Sequence, residues 1–183
     1  MKPNRPGTPP LPPWADAPHW AAVNHTIGYW LAKRPAAMRR VSRLAGRLQS
    51  RMDDLDPQMR ALSRSLCHDC AAPCCAHAKP WFDLADLLRL HLCRLPLPPG
   101  QPIGSVHERC RYFGPKGCGL PRRIRPWICT WYLCPAMKRA LNRNGAESVQ
   151  RAVAALDTVK NLRRRMETAF IDTLAADVQA GGQ

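Results

Sequence analysis

The chain has 183 residues, with 28 lysines and arginines against 13 aspartates and glutamates, for a formal charge of +15. That length accommodates one domain with a modest core and excludes two well-buried ones. No apolar run reaches the roughly 18 to 20 residues that cross a bilayer, and no apolar stretch of about 7 to 15 residues marks a secretory signal, so a cytoplasmic protein without a transmembrane segment is expected.

Seven of the nineteen prolines fall in the first eighteen residues. Proline lacks an amide donor and fixes its own φ, so residues 1–18 are expected to form a flexible, Pro-rich N-terminal arm, with 19–183 a single domain. Trp14 and Trp20 are the side chains through which the arm could dock. Over 35–55, Val41, Leu44, Ala45, Leu48, Met52 and Leu55 recur at the spacing of one helical face, while Arg39, Arg43, Arg47 and Arg51 line another. A solvated surface is the plain reading of that arginine stripe. A short separate helix over 57–66, opened by Pro57, leads into the first cysteines.

Asp83 is placed to cap a helix over 84–95, with Leu84, Leu87, Leu88 and Leu92 on its apolar face and Pro96 after its end. Cys93 lies in this helix, far from the other cysteines, and reads as a small apolar residue. The stretch 96–135 holds eleven prolines and glycines before Pro126 and no sustained periodicity, so loops are expected, with one short hairpin near 114–117. Helices over 135–143 and 146–178 complete the chain, the second carrying Val149, Val153, Leu156, Leu162, Met166, Phe170 and Leu174 at helical spacing. The fold class is thus mainly α, with helices packed around an irregular cysteine-rich metal-binding loop core at about 66–135.

Eight of the nine cysteines fall in two groups. The first is Cys67, Cys70, Cys74 and Cys75; the second is Cys110, Cys118, Cys129 and Cys134. A Cys-x-x-Cys turn brings two thiolates to one ion with backbone amides aimed at the sulfurs, a spacing shared by zinc knuckles and iron-sulfur loops. In a reducing compartment a dense cysteine set is more often metal-binding than disulfide-forming. Neighbouring residues Cys74 and Cys75 resist bridging to each other and tend to diverge, so two metals or one polynuclear cluster could use both. Two zinc ions held by four cysteines each would account for all eight thiolates; the irregular spacings and the Cys134-Pro135 ending suit an iron-sulfur cluster, such as 4Fe-4S, at least as well. His68, His77 and Arg125 are expected beside the ligands as supporting donors, and Trp127, Trp131 and Tyr132 as packing around the site.

Cys67-x-x-Cys70-x-x-x-Cys74-Cys75, Gly117-Cys118, Arg125-Pro126-Trp127-Ile128-Cys129 and Cys134, with the helix opening Asp83-Leu84-Ala85-Asp86-Leu87-Leu88, resemble the bacterial cysteine-cluster proteins described as zinc- or iron-chelating. The resemblance covers about 66–135. It departs where that family places Ile-Tyr after the middle cysteine and Arg after the penultimate one; here Leu120-Pro121 and Thr130 stand there. Larger relatives, the flagellin lysine N-methylases, carry a similar cluster and use S-adenosylmethionine, but no glycine-rich cofactor loop follows a strand here.

Basic residues cluster at 31–66, 107–126 and 136–165, a distribution that attracts a polyanionic partner such as nucleic acid or an acidic protein. Two divalent ions on eight thiolates would still leave about +11 on tetrahedral zinc counting. The expected function is therefore a metal-binding cysteine-cluster protein with a structural or redox role. A metal-stabilised nucleic-acid-binding module stands second, and a methylase-like modifying enzyme last.

Overall fold

A computed structural model describes residues 12–67, 70–71, 73–115, 117–143 and 145–181. The molecule is mainly α. Its elements in chain order are α1 (Ala17–Lys33), α2 (Arg39–Cys67), α3 (Cys74–His77), α4 (Leu84–Leu92), a hairpin of β1 (Phe113–Gly114) and β2 (Gly117–Cys118), two 3-10 turns at Arg122–Ile124 and Trp127–Cys129, then α5 (Pro135–Asn142) and α6 (Ala146–Gly181). Among the described residues no helix is long and apolar enough to cross a membrane.

Most of the arm expected over 1–18 lies outside the described residues. Its last residues cap and begin α1, a helix the proline-rich composition conceals. The Asp16 side chain accepts from His19 N at 2.9 Å, and Pro18 occupies the first turn, where its missing amide costs nothing. Both tryptophans dock: Trp14 Nε1 donates to the Phe82 carbonyl at 2.9 Å and Trp20 Nε1 to that of Pro98 at 3.2 Å. Trp20, Asn24 and Ile27 form the buried stripe of α1. Asn24 reaches His91 Nε2 of α4 at 2.9 Å.

The expected break before Pro57 does not occur: α2 runs unbroken through it for 29 residues. Proline in a helix interior removes one backbone bond. Here Leu55, Met59 and Leu62 are buried on either side of it, so packing keeps the two halves in one line. The arginine stripe is exposed, as a solvated face requires.

The helices gather on hydrophobic side chains. Val41, Leu44, Ala45 and Leu48 of α2 meet Val159, Leu162, Met166 and Phe170 of α6, with Leu87, Leu88 and Leu90 of α4 and Phe82 between them. Each such side chain contributes about 1.5–3 kcal/mol when fully buried. The cysteines stand at the margin of this body, five exposed and four half-buried. On α6 the buried line passes through Ala152, Val159, Leu162, Met166 and Phe170, while Val153 faces solvent.

Inside the core lies a polar hub that no apolar periodicity announces. Asp83 and Asp86 form a capping box at the start of α4. Arg163 of α6 donates to Asp86 Oδ1 at 2.6 Å and to both oxygens of Asp83 at 2.6 and 2.7 Å. The Trp127 amide donates to the same Asp86 carboxylate at 3.1 and 3.2 Å. One turn along α4, the fully buried Arg89 donates to Gln49 and to the Arg123 carbonyl, each at 2.9 Å. The loop preceding Cys129 therefore hangs from two charged residues of a core helix.

Burial pushes the Asp86 carboxyl up to about 6 from the ordinary 3.8, against the opposing pull of Arg163 and Arg89. The folded state thus holds this proton more tightly than the unfolded chain, so the carboxyl's contribution to stability is present below about pH 4 and is lost as the pH rises through about 6. Replacing Arg163→Met leaves that carboxylate buried without its cation, and urea unfolding at neutral pH should register a loss of about 3–5 kcal/mol. The deficit relative to the native protein should narrow as the pH falls from 7 toward 5. A deficit that stays constant over that range would show that Asp86 is not the charge left uncompensated.

Candidate functional site

The cysteine-bearing segments have little apolar sequence of their own, and they are brought together by contacts with the helical body and with each other. The end of α2 supplies the first. Met59 and Leu62 are buried with Leu133, Met137, Leu141 and Ala152 in a second small cluster, against which Leu66 and Cys134 pack. Cys67, the last residue of α2, and Cys134, the N-cap of α5, thereby become neighbours. The Met137 amide donates to Cys134 Sγ at 3.4 Å, so this sulfur already faces a free helix N-terminal amide.

A second tie joins the two cysteine groups directly, because Lys79 Nζ donates to the Glu108 carbonyl at 2.7 Å and draws the segment after α3 against the approach to Cys110. The hairpin then pairs Phe113 with Cys118, and Phe113 N donates to the Cys110 carbonyl at 3.0 Å. Cys110 and Cys118 sit at the hairpin's base as a result. Gly117 turns the chain with φ +91°, a conformation that side-chain-bearing residues rarely adopt.

The third tie is the loop 120–129. Arg122 Nε pairs with Asp56 Oδ1 of α2 at 2.7 Å, fixing the loop about three turns before Cys67. Arg125 donates from Nε to the Leu120 carbonyl at 2.9 Å and from a terminal nitrogen to that of Cys118 at 3.4 Å. It braces the backbone around a candidate ligand; among the described residues it neither pairs with a carboxylate nor bonds a sulfur. His77 is exposed at the end of α3, and His68 lies outside the described residues. Trp127 is half-buried with Arg163 5.5 Å from its ring, whereas Trp131 and Tyr132 form an exposed edge-to-face pair.

The thiols of the two sequence groups lie within electrostatic reach of one another. Cys67 is influenced by Cys74, Cys134 and Cys70. Cys129 is influenced by Cys118, Cys75 and Cys110. Cys75 is influenced by Cys74, Cys118 and Cys67, so the two neighbourhoods overlap at the consecutive pair. Among the described residues no three Cys, His, Asp or Glu side chains stand close enough to grip one ion without further movement.

Crowding makes these thiols hold their protons tightly. Desolvation, then neighbouring sulfurs, push the Cys75 thiol up to about 11. The same causes push Cys67 up, with Arg122 opposing them. Cys129 keeps an exposed surface, but protein crowds its other sides, and that desolvation with three nearby thiols moves it far upward. Desolvation is also the main cause at Cys110, where the Tyr112 and Phe113 amides and Arg111 oppose it. Thiolates so crowded repel one another unless a cation is placed among them.

Cys93 differs in every respect. Its S–H points to the Ala45 carbonyl at 3.6 Å, it caps the C-terminus of α4, and its charged neighbours are Arg89, Arg123 and Asp53 rather than thiols. Lys79, Asp86 and Arg122, by contrast, position the site and were not singled out by spacing. The only trace of Arg122 in the sequence is its membership of a basic run. Compared with models of known protein families, with curated proteins and with solved structures, the chain matches none. Substituting Cys93→Ala should leave metal content unchanged by elemental analysis and cost about 0.5–1.5 kcal/mol for one weak hydrogen bond and a little packing; a metal loss would place Cys93 among the ligands.

Proposed function

We propose that the chain binds iron or zinc through its eight clustered cysteines, as two adjacent four-thiolate centres, one of Cys67, Cys70, Cys74 and Cys134 and the other of Cys75, Cys110, Cys118 and Cys129. The observation that carries this reading is that thiols remote in sequence lie within electrostatic reach of one another, Cys67 of Cys134 and Cys129 of Cys75, at the margin of the helical body. Four sulfurs suit tetrahedral zinc and equally one 4Fe-4S cluster. The resemblance to zinc- or iron-chelating cysteine-cluster proteins supports the same chemistry. Arg125 and the Met137 amide would serve as supports, the first through the Cys118 carbonyl and the second on the Cys134 sulfur.

Because the helical core is hydrophobic and meets the clustered thiols only peripherally, through Cys118 and Cys134, the centres would have a local task. Binding energy would order the segments around 66–82 and 108–134 and tie them to α2 and α5. A redox role is open to an iron-sulfur centre and closed to zinc.

Anaerobic purification followed by elemental analysis and an absorption spectrum should find stoichiometric zinc in a colourless protein, or iron with sulfide in a brown one. Chelation should expose the cysteine segments to protease while the helical circular dichroism largely persists. Cys67→Ser and Cys129→Ser should each remove one centre and spare the other. A metal-free protein whose protease sensitivity does not change on adding zinc or reconstituting iron and sulfide would rule the reading out.

Acid should release the metal. Each bound thiol must shed a proton, and the raised thiols shed theirs reluctantly, so affinity falls as the pH falls. Metal retention in a chelator competition, followed from neutral pH toward about pH 5, should decline steadily; pH-independent retention would mean that the ligands are not these thiols.

A further inference from the structure

Beside the first set of thiols lies a cleft of about 760 Å³ whose walls carry five arginines: Arg60 and Arg64 from α2, and Arg122, Arg123 and Arg125 from the loop. Among the described residues no aspartate or glutamate lines it. Cys67 and Cys70 contribute to one side, and the Phe113 ring with several prolines supplies apolar surface.

The charge is only partly answered. Asp56 serves both Arg60 and Arg122 from outside the cleft. Arg123 stands 3.8 Å from Asp53, and both side chains are more than half exposed, so the pair is weak. Arg125 donates to two carbonyls, and among the described residues no carboxylate answers its charge. Arg64 is exposed and has no carboxylate partner among the described residues.

We infer that this cleft binds the phosphate backbone of single-stranded nucleic acid. Arginine suits phosphate because its planar fork donates two hydrogen bonds at once. The guanidinium groups are spread over two walls, as for a chain of phosphates. A groove with cations along its sides and apolar or aromatic surface between them is the arrangement that tracks a single strand. A duplex is too wide to enter a cleft of this volume. The inference goes beyond the metal reading and rests on it only for the wall that Cys67 and Cys70 contribute. Its plain competitor is that the arginines do no more than offset the negative charge of the metal thiolates.

The test uses the full chain as purified with its metal, and fluorescence anisotropy of a labelled oligouridylate of about eight nucleotides. Binding at low salt should weaken by about twentyfold between roughly 50 and 200 mM salt, as expected when about three phosphates are neutralised. The double variant R64Q/R123Q, both positions exposed, should lower affinity by about tenfold with metal content unchanged. R43Q/R47Q, on the exposed arginine stripe of α2, should bind as the native protein does. No binding at low salt, equal binding of a duplex, displacement by equimolar ATP, or a loss confined to R43Q/R47Q would overturn the inference. A cleft variant that loses metal but keeps its affinity for the oligonucleotide would overturn it in favour of the competitor.

Discussion

The ion pair between Asp86 and Arg163 is the constraint on which the rest of the structure turns. Asp86 is almost wholly buried, and its two oxygens serve a guanidinium on α6 and the amide of Trp127 at once. That carboxylate fastens three parts of the chain that hydrophobic burial alone would leave free to slide. One turn later, Arg89 repeats the device by holding loop carbonyls. The loop rich in proline and glycine buries only single apolar anchors, Leu120 and Ile124, and directed polar bonds complete its positioning. The core helix α4 provides them, and Cys129 inherits its place from that arrangement.

Where burial is periodic, the sequence is legible. The apolar faces of α2, α4 and α6 read directly from their spacing, as do the Asp83 cap and the hairpin that Gly117 permits. The failures have specific causes. In α1, seven nearby prolines mask an ordinary N-cap at Asp16 and a stripe of Trp20, Asn24 and Ile27 that contains a polar residue. In α2, Pro57 is a legitimate stop signal overruled by tertiary packing on both sides. On α6, a charged residue, Arg163, takes a core position, and apolar spacing has no way to mark it.

The candidate site was legible in its membership and illegible in its grouping. Eight cysteines stand out by count and by spacing, and Cys93 separates from them by isolation. Which thiols become neighbours depends on where the end of α2 meets the start of α5, and on a lysine that reaches a backbone carbonyl twenty-nine residues away. Contacts to main-chain carbonyls carry almost no residue-type signature. Arg125 illustrates the point: its type suggested a donor to the ligands, and its partners among the described residues are carbonyls that any sequence offers.

The separation of a hydrophobic body from a thiol margin has an energetic consequence. In a small zinc-dependent fold, metal binding and folding are one equilibrium, because no core exists without the ion. Here, among the described residues, the packing of α2, α4 and α6 takes only peripheral contacts from two of the eight clustered thiols, Cys118 on the main core and Cys134 on the second cluster. Metal binding at the proposed centres would therefore be coupled to the order of the cysteine segments more than to the fold as a whole. Those same segments form one wall of the arginine cleft, through Cys67 and Cys70, while α2 forms another. A ligand held between a rigid helix and a metal-ordered wall would feel the loading state of the centre, and by thermodynamic reciprocity the centre would feel the ligand.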